Sequence, residues 1–274
     1  MLLIKIKKFY RILFPKQASL NESFETKLDL NKSILTFEKN DIGYTLKLKD
    51  GSEIMIRDKK SSDFDVFEQV YTTGEYDIVL NMLRLNHQSN SSKNIIDAGA
   101  NIGLTSIYFA NNLENVQLFS IEPSKESIEV FEKNRMLMKS PECITIYNNA
   151  LSEKPGAKFK IGNDFRDRRD WALFTIEDPR GEIEGVTINE IVIDNNLTSI
   201  AFLKIDIEGA ERLIFKAGSD FSYLEITEII AIEIHDEFQC REKIYELFKS
   251  HGFYLFEVGE TTICINKRNC QVSQ

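Results

Sequence analysis

The chain has 274 residues, 42% of them hydrophobic and 28% charged, a globular balance that suits one large domain or one domain with an appended piece. Acidic residues outnumber basic ones, 43 against 34, and the formal net charge of −9 argues against general binding to a nucleic-acid backbone. No run of 18 or more apolar residues reads as a membrane span, and the four cysteines, Cys143, Cys240, Cys264 and Cys270, form no C-x-x-C pair and have no histidine at zinc-site spacing, so they read as buried or idle thiols in a reducing cytoplasm.

The opening MLLIKIKKFYRILFPK is basic and apolar. Its lysines interrupt every h-region that a signal peptide would need, and Pro15 ends any helix there. On a helix, Lys5, Lys7, Lys8 and Arg11 edge a face of Leu, Ile and Phe. A terminal helix packed on its own domain is the first reading; weak peripheral contact with the inner face of the membrane is the second, so the protein is expected to be cytoplasmic in either case. From Ile34 to Arg57 apolar and polar residues alternate, and Asp50-Gly51 marks a hairpin turn, which predicts a small antiparallel sheet. Residues 61–86 then read as helical, with Phe64, Phe67, Val70 and Tyr71 at helical spacing and a break at Thr72-Thr73-Gly74. The polar stretch NHQSNSSK is a loop. These elements make an N-terminal extension of residues 1–92 ahead of a main domain of residues 93–274.

From Asn94 the text alternates between strands and helices. NIIDA, VQLFSIE, CITIYNNA, IAFLKID and IIAIEIH are mostly continuous apolar runs, as parallel strands covered on both faces require. Helical patterns fall at 104–113, 124–138, 210–215 and 236–252. FYLFEV and TTICINK, joined at Gly259-Glu260, read as a hairpin with a Gly-first turn. The predicted fold is therefore α/β, a Rossmann-like, seven-stranded, mostly parallel sheet ending in an antiparallel hairpin. That is the layout of class I S-adenosylmethionine (SAM) methyltransferases rather than of dinucleotide-binding enzymes. Residues 160–185 interrupt the alternation; they are polar, hold the only tryptophan, Trp171, and show no period. They are expected to be an insertion acting as a lid or binding loop.

In such sheets ligands bind outside the carboxyl ends of the strands. Asp97-Ala98-Gly99-Ala100-Asn101-Ile102-Gly103 stands there, and its glycines follow D-x-G-x-x-x-G rather than G-x-G-x-x-G. A dinucleotide loop aims a helix N-terminus at a pyrophosphate, whereas SAM has no phosphate and carries a sulfonium and an amino-acid tail. Asp97 is predicted to hold the tail ammonium, directly or through water. Gly99 supplies backbone freedom, Gly103 close approach of the next helix to the strand, and Ala100 and Asn101 complete the loop. Glu122, 23 positions after Gly99 at the end of the second strand, is predicted to accept the ribose hydroxyls, a role that suits NAD equally. Asn149 and Ala150, after the third strand, are candidates for the adenine edge.

IIDAGANIGLTSIYFA, SIEPSKESIEVFEKN, NNALSE, LKIDIEGAE and IEIH together resemble the FkbM-type methyltransferases, and SSDFDVFEQVYTTGEY resembles the segment before their SAM loop. The resemblance runs over about residues 54–258, with LKIDIEGAE after DAGANIG as its specific part. It implies SAM-dependent methyl transfer, usually to a hydroxyl of a sugar, glycan or related natural product. The N-terminal strands and the insertion match no part of the family pattern and are expected to hold acceptor specificity.

A hydroxyl needs its proton removed or polarised before it attacks carbon. Asp206 and Glu208 follow the fourth strand, and Glu233 and His235 end the fifth. His235 is the predicted general base because its ordinary pKa suits that work. Asp206 is expected to orient the acceptor or lie near the methyl donor, and Glu208 either to join them or to support the turn at Gly209. Lys204 reads rather as a strand-end surface charge. A divalent metal on Asp206, Glu233 and His235 is the less favoured alternative. The rival readings are an NAD-linked enzyme, a non-catalytic SAM-fold binding module, and N- or C-methylation of a small molecule; oligomeric state is not legible.

Overall fold

The computed structural model describes residues 20–86, 92–162 and 174–270. The basic N-terminal segment, and with it the proposed membrane contact, lies outside the described residues, as do Trp171 and the middle of the insertion. No helix among the described residues is long and apolar enough to cross a membrane.

The main sheet is the seven-stranded one expected. Its strands are β4 (Lys93–Ala98), β5 (Val116–Ile121), β6 (Ile144–Tyr147), β11 (Ile200–Ile205), β12 (Thr227–Glu233), β13 (Phe253–Val258) and β14 (Thr261–Asn266), in the order β13-β14-β12-β11-β4-β5-β6. The first five in sequence pair in parallel; β14 joins β12, and β13 joins β14, antiparallel. All six residues of β11 are buried, which is why its text shows no polar alternation. Gly259 turns the final hairpin at φ +63°, in the left-handed region that a Gly-first turn requires.

From β4 the chain steps outward to β5 and β6, then returns to β11 on the other side of β4. The carboxyl ends of β4 and β11 therefore flank the point where strand order reverses, and a crevice opens there. Helices α4 (Leu104–Asn112), α5 (Lys125–Met136), α6 (Ile188–Asp194), α7 (Glu211–Ile214) and α8 (Arg241–Ser250) connect the strands. Helix α5 starts at Ser124, whose Oγ accepts from the Ser127 N–H at 3.2 Å. Helix α6 starts in a capping box: the Glu190 N–H donates to Thr187 Oγ1, and the Thr187 N–H to Glu190 Oε2.

Two predicted elements differ. CITIYNNA is not one strand, because Asn148 donates its amide to the carbonyls of Glu122 and Pro123 and turns the chain after Tyr147. The next pair, β7 (Ala150–Leu151), enters a second sheet with β8 (Lys158–Gly162), β9 (Phe174–Glu177) and β10 (Ile183–Val186), ordered β7-β10-β8-β9. The insertion is thus partly regular. Its strands are too short to show a period, and they pair mainly with one another.

The described part of the N-terminal extension comprises first α1 (Leu20–Leu30) and the three-stranded antiparallel sheet β1 (Ile34–Lys39), β2 (Gly43–Leu48) and β3 (Glu53–Arg57). Then come α2 (Asp63–Phe67), a π-helical turn (Glu68–Thr73) capped by Gly74 at φ +73°, and α3 (Asp77–Asn86). Ile54 and Ile56 of β3 share one buried core with Ile102 and Leu104 after β4 and Val130 of α5. Asn134 of α5, fully buried, clamps this seam: its Oδ1 accepts from the Met55 N–H at 2.6 Å, and its amide donates to the carbonyls of Met55 and Ile102, both at 3.0 Å. Replacing it orphans three backbone groups. Asn134→Ala is expected to lower unfolding free energy by about 3 kcal/mol in urea titrations, against less than about 0.5 kcal/mol for exposed Lys133→Ala; equal effects would show that the clamp contributes nothing.

Candidate functional site

A cleft of about 1060 Å³ opens at the carboxyl ends of β4, β5, β11 and β12. That is the upper end of the usual size for small-molecule sites. Of the residues predicted to hold a cofactor, Gly99, Ala100, Asn101, Glu122 and Ala150 line it. Asp206, Glu208 and His235 line its other half. Asp97, Gly103 and Asn149 do not.

The loop after β4 is pressed onto the end of β11. Gly99 sits at φ +83°, and a Cβ there would lie 1.7 Å from the Asp206 carbonyl oxygen, so only glycine fits. Asn101 is left-handed at φ +48°. Its N–H donates to Glu122 Oε2 at 2.8 Å, while the Ser124 N–H donates to Glu122 Oε1 at 2.8 Å. Both carboxylate oxygens are thereby oriented, and each keeps lone-pair capacity for a further donor. Burial raises the Glu122 pKa above the usual carboxylate range, partly offset by these two N–H groups.

Asp97 stands one layer behind the cleft, 1% exposed. Its Oδ2 accepts from Ser106 Oγ at 2.6 Å, and its Oδ1 faces Lys204 Nζ at 3.3 Å. The expectation that it grips a ligand ammonium directly is corrected: its reach is taken up by Lys204. The reading of Lys204 as a surface charge is corrected as well. Its ammonium is buried, donates to the Gly99 carbonyl at 3.0 Å and lies 3.4 Å from Asp206 Oδ2. Burial alone would depress its pKa, but Asp97 and Asp206 outweigh burial and hold it well above the ordinary lysine value. Gly103, at φ +83°, gives clearance to α5 rather than to a strand, since a Cβ there would lie 2.1 Å from the Phe131 ring. Asn149 donates its amide to the Glu184 carbonyl of β10 at 3.1 Å, on the exposed side, and does not line the cleft. Ala150 and Leu151 present an apolar wall instead.

At the other end His235 is ringed by carboxylates. Its Nε2 lies 3.4 Å from Glu208 and 3.8 Å from Glu233, and its Nδ1 lies 3.3 Å from Glu211. Glu208 and then Glu211 raise its pKa to about 10 against the opposing effect of burial. A value that high favours the imidazolium at neutral pH, which weighs against the expected role of His235 as general base. Burial, then the nearby Asp206 charge, raises Glu233 to about 8, and burial raises Glu208. No group of three or more His, Cys, Asp or Glu side chains among the described residues is arranged to hold a metal ion.

The far wall was not legible in the sequence. It comes from the π-helical turn and the residues after it, notably Glu75, and not from β1–β3, which line none of the cleft. Thr261 Oγ1 of the terminal hairpin donates to Glu75 Oε1 at 2.6 Å across 186 positions of sequence. Burial raises the Glu75 pKa, with the Thr261 hydrogen bond acting against it. No local pattern announces such a contact; the break at Thr72-Thr73-Gly74 was its only trace. Of the insertion, Thr175 of β9 reaches the cleft.

This half of the cleft offers a carboxylate held by two backbone N–H groups and an apolar wall beside it, and its buried lysine is already shared between Asp97 and Asp206. The sheet order and this crevice define a class I, Rossmann-like methyltransferase architecture. Residues 97–255, more than half the chain, match the methyltransferase FkbM domain, and the chain belongs to this family of SAM-dependent methyltransferases. It is similar to methyltransferase sdnD of Sordaria araneosa, 25% identical over 223 residues that cover 69% of this chain and 81% of that one. It is also similar to the 31-O-demethyl-FK506 methyltransferase FkbM of Streptomyces tacrolimicus, 22% identical over 242 residues, covering 78% and 90% of the two chains. Among solved structures, the O-methyltransferase TomG of Streptomyces achromogenes in complex with SAM aligns at a TM-score of 0.45 with 10% identity, over 76% of this chain and 88% of that one.

Two expectations follow from this geometry. Glu122→Gln replaces one acceptor oxygen with a donor that opposes a backbone N–H, and SAM affinity by calorimetry is expected to fall about tenfold or more; unchanged affinity would remove Glu122 from the site. Separately, Glu233 and His235 both bind protons more tightly folded than unfolded, so folding stability declines with rising pH. The Glu233 contribution is full below about 4.5 and lost through about 8; that of His235 is full below about 6.5 and lost through about 10. Urea titrations across this range should show the decline, and His235→Gln should flatten its upper part; stability rising with pH would contradict the assigned charge states.

Proposed function

We propose that the protein transfers the methyl group of SAM to a hydroxyl oxygen of a sugar or a related hydroxylated natural product. The observation that carries this reading is a carboxyl group of raised pKa, Glu233, in the same cleft as the ribose-oriented Glu122. A hydroxyl acceptor needs a base whose pKa lies near the working pH, and a buried carboxylate beside Asp206 meets that need. The name of the 31-O-demethyl-FK506 methyltransferase, matched over most of its length, supports a hydroxyl of a natural product as the acceptor group.

SAM, when bound, supplies an electrophilic methyl carbon that the acceptor attacks in line. The chain's part is to orient and to take a proton. Glu122 fixes the donor half through the ribose. Asp206, held by Lys204, accepts a hydrogen bond from the acceptor and sets its direction. Glu233 takes the hydroxyl proton on a carboxylate oxygen. The His235 imidazolium, between Glu208 and Glu233, keeps these like charges together and lowers the Glu233 pKa from where burial alone would put it.

The test is label transfer from methyl-labelled SAM to a panel of neutral glycosides, hydroxylated macrolides and primary amines. Label in an alkali-stable ether supports the reading; label in amines alone overturns it. With a hydroxyl acceptor, turnover is expected to rise with pH through about 8. Glu233→Gln is expected to abolish that rise and lower turnover roughly a hundredfold. Loss of the rise in His235→Gln, with Glu233→Gln unaffected, would return the base role to His235.

A further inference from the structure

The cofactor grip has a support that comes from outside the family domain. Arg57, the last residue of β3, lies forty positions ahead of the matched residues 97–255. Its guanidinium forms a fork with Asp63, Nη2 to Oδ1 at 2.7 Å and Nε to Oδ2 at 3.0 Å, and its own N–H donates to Asp63 Oδ2 at 2.7 Å. The Asp63 side chain is fully buried, and that of Arg57 is 15% exposed. A fork of this kind fixes the guanidinium plane. The same Nη2 then donates to Asn101 Oδ1 at 3.2 Å, and Ser127 Oγ of α5 donates to that oxygen at 3.0 Å. Asn101 is the left-handed residue whose N–H holds Glu122 Oε2. Aspartate and asparagine tolerate this backbone region better than other non-glycine residues, but it still needs external support to persist. The path runs unbroken from Asp63 through Arg57 and Asn101 to the Glu122 carboxylate.

We propose that Arg57 is a cofactor-positioning residue: by holding the Asn101 side chain it fixes the left-handed loop and presents the Glu122 carboxylate to the ribose hydroxyls, which makes the N-terminal sheet part of the SAM site. This rests on the reading of Glu122 as the ribose ligand. It also assigns the extension a role distinct from acceptor recognition, which falls to the residues after β3. Arg57 touches no cofactor atom in this account; it acts through Asn101.

The experiment is calorimetry of SAM, adenosine and 2′,3′-dideoxyadenosine against the full chain. Arg57→Gln alone would leave the buried Asp63 carboxylate without its partner and endanger folding. The working variant is therefore Arg57→Met with Asp63→Asn, which removes both charges together and leaves an amide oxygen to accept the backbone N–H of residue 57. It is expected to keep the wild-type melting temperature to within a few degrees and to bind SAM and adenosine about tenfold more weakly, the loss of one charge-assisted hydrogen bond. Dideoxyadenosine, with no ribose hydroxyls to grip, should bind wild type and variant alike. Asn101→Ala should cost a similar factor, and adding it to the paired variant should cost nothing more. Wild-type SAM affinity in the paired variant, an equal loss for dideoxyadenosine, or additive losses on combination each overturn the positioning role. Failure of the wild-type chain to bind SAM overturns the underlying functional reading as well.

Discussion

The buried ammonium of Lys204 holds the two halves of the parallel sheet at their point of reversal. Asp97 is the penultimate residue of β4, Asp206 follows β11, and Lys204 faces both carboxylates while donating to the carbonyl of Gly99. The cleft exists because the chain turns outward from β4 in one direction and returns to its other flank through β11. Two carboxylates at that seam would repel each other in a medium of low dielectric; one buried cation between them removes the repulsion. Taking one partner from a buried pair commonly costs about 3–5 kcal/mol, because a charge is left behind without compensation. The loop therefore has one place to rest. With no room for a Cβ at Gly99, it lies directly on the Asp206 carbonyl.

From that seam the two halves of the site acquire different electrostatics. On the donor side a single carboxylate, Glu122, is held by two backbone N–H groups and flanked by apolar residues. On the acceptor side Glu75, Asp206, Glu208 and Glu233 face one another across the cleft around one imidazolium. Burial, with like charges nearby, raises the proton affinity of Glu208 and Glu233, and hydrogen bonding to Glu208 and Glu211 raises that of His235. His235 is thus placed as a counter-ion among carboxylates, and Glu233 is the carboxylate whose proton affinity is raised furthest. Asp97 and Gly103 stand behind the surface of the cleft, and Lys204 lines it.

Much of the fold could be read from the text because its strands bury both faces. Runs such as IAFLKI carry no polar alternation, and their spacing around apolar helical stretches implies a parallel sheet. The closing hairpin was legible from Gly259-Glu260 between two alternating runs. That Gly99, Ala100, Asn101 and Glu122 line the cleft was legible for a local reason: they stand at strand ends whose position the topology sets. Helix α6 was missed although Thr187-x-x-Glu190 spells its capping box. What could not be read were contacts made across the chain. Glu75 with Thr261, Asn134 with Met55, and Arg57 with Asn101 join segments 186, 79 and 44 positions apart. The pKa of His235 is raised by Glu208 and Glu211, whose convergence on it belongs to the folded state, so the histidine's ordinary value was a poor guide. Asn149 bonds to β10 rather than lining the cleft because Asn148 ends β6 early and turns the chain there.

The central claim is that an adenosyl ligand sits at the β4–β11 seam with its ribose on Glu122 and its reactive end toward Asp206 and Glu233. A crystal structure of the full chain grown with SAM tests it most directly. The account predicts both ribose hydroxyls within about 3 Å of the Glu122 carboxylate, as hydrogen bonding requires, and the sulfonium methyl facing the acidic half of the cleft. Ligand density bound elsewhere on the chain, or lying in the cleft with the ribose turned away from Glu122, would contradict it.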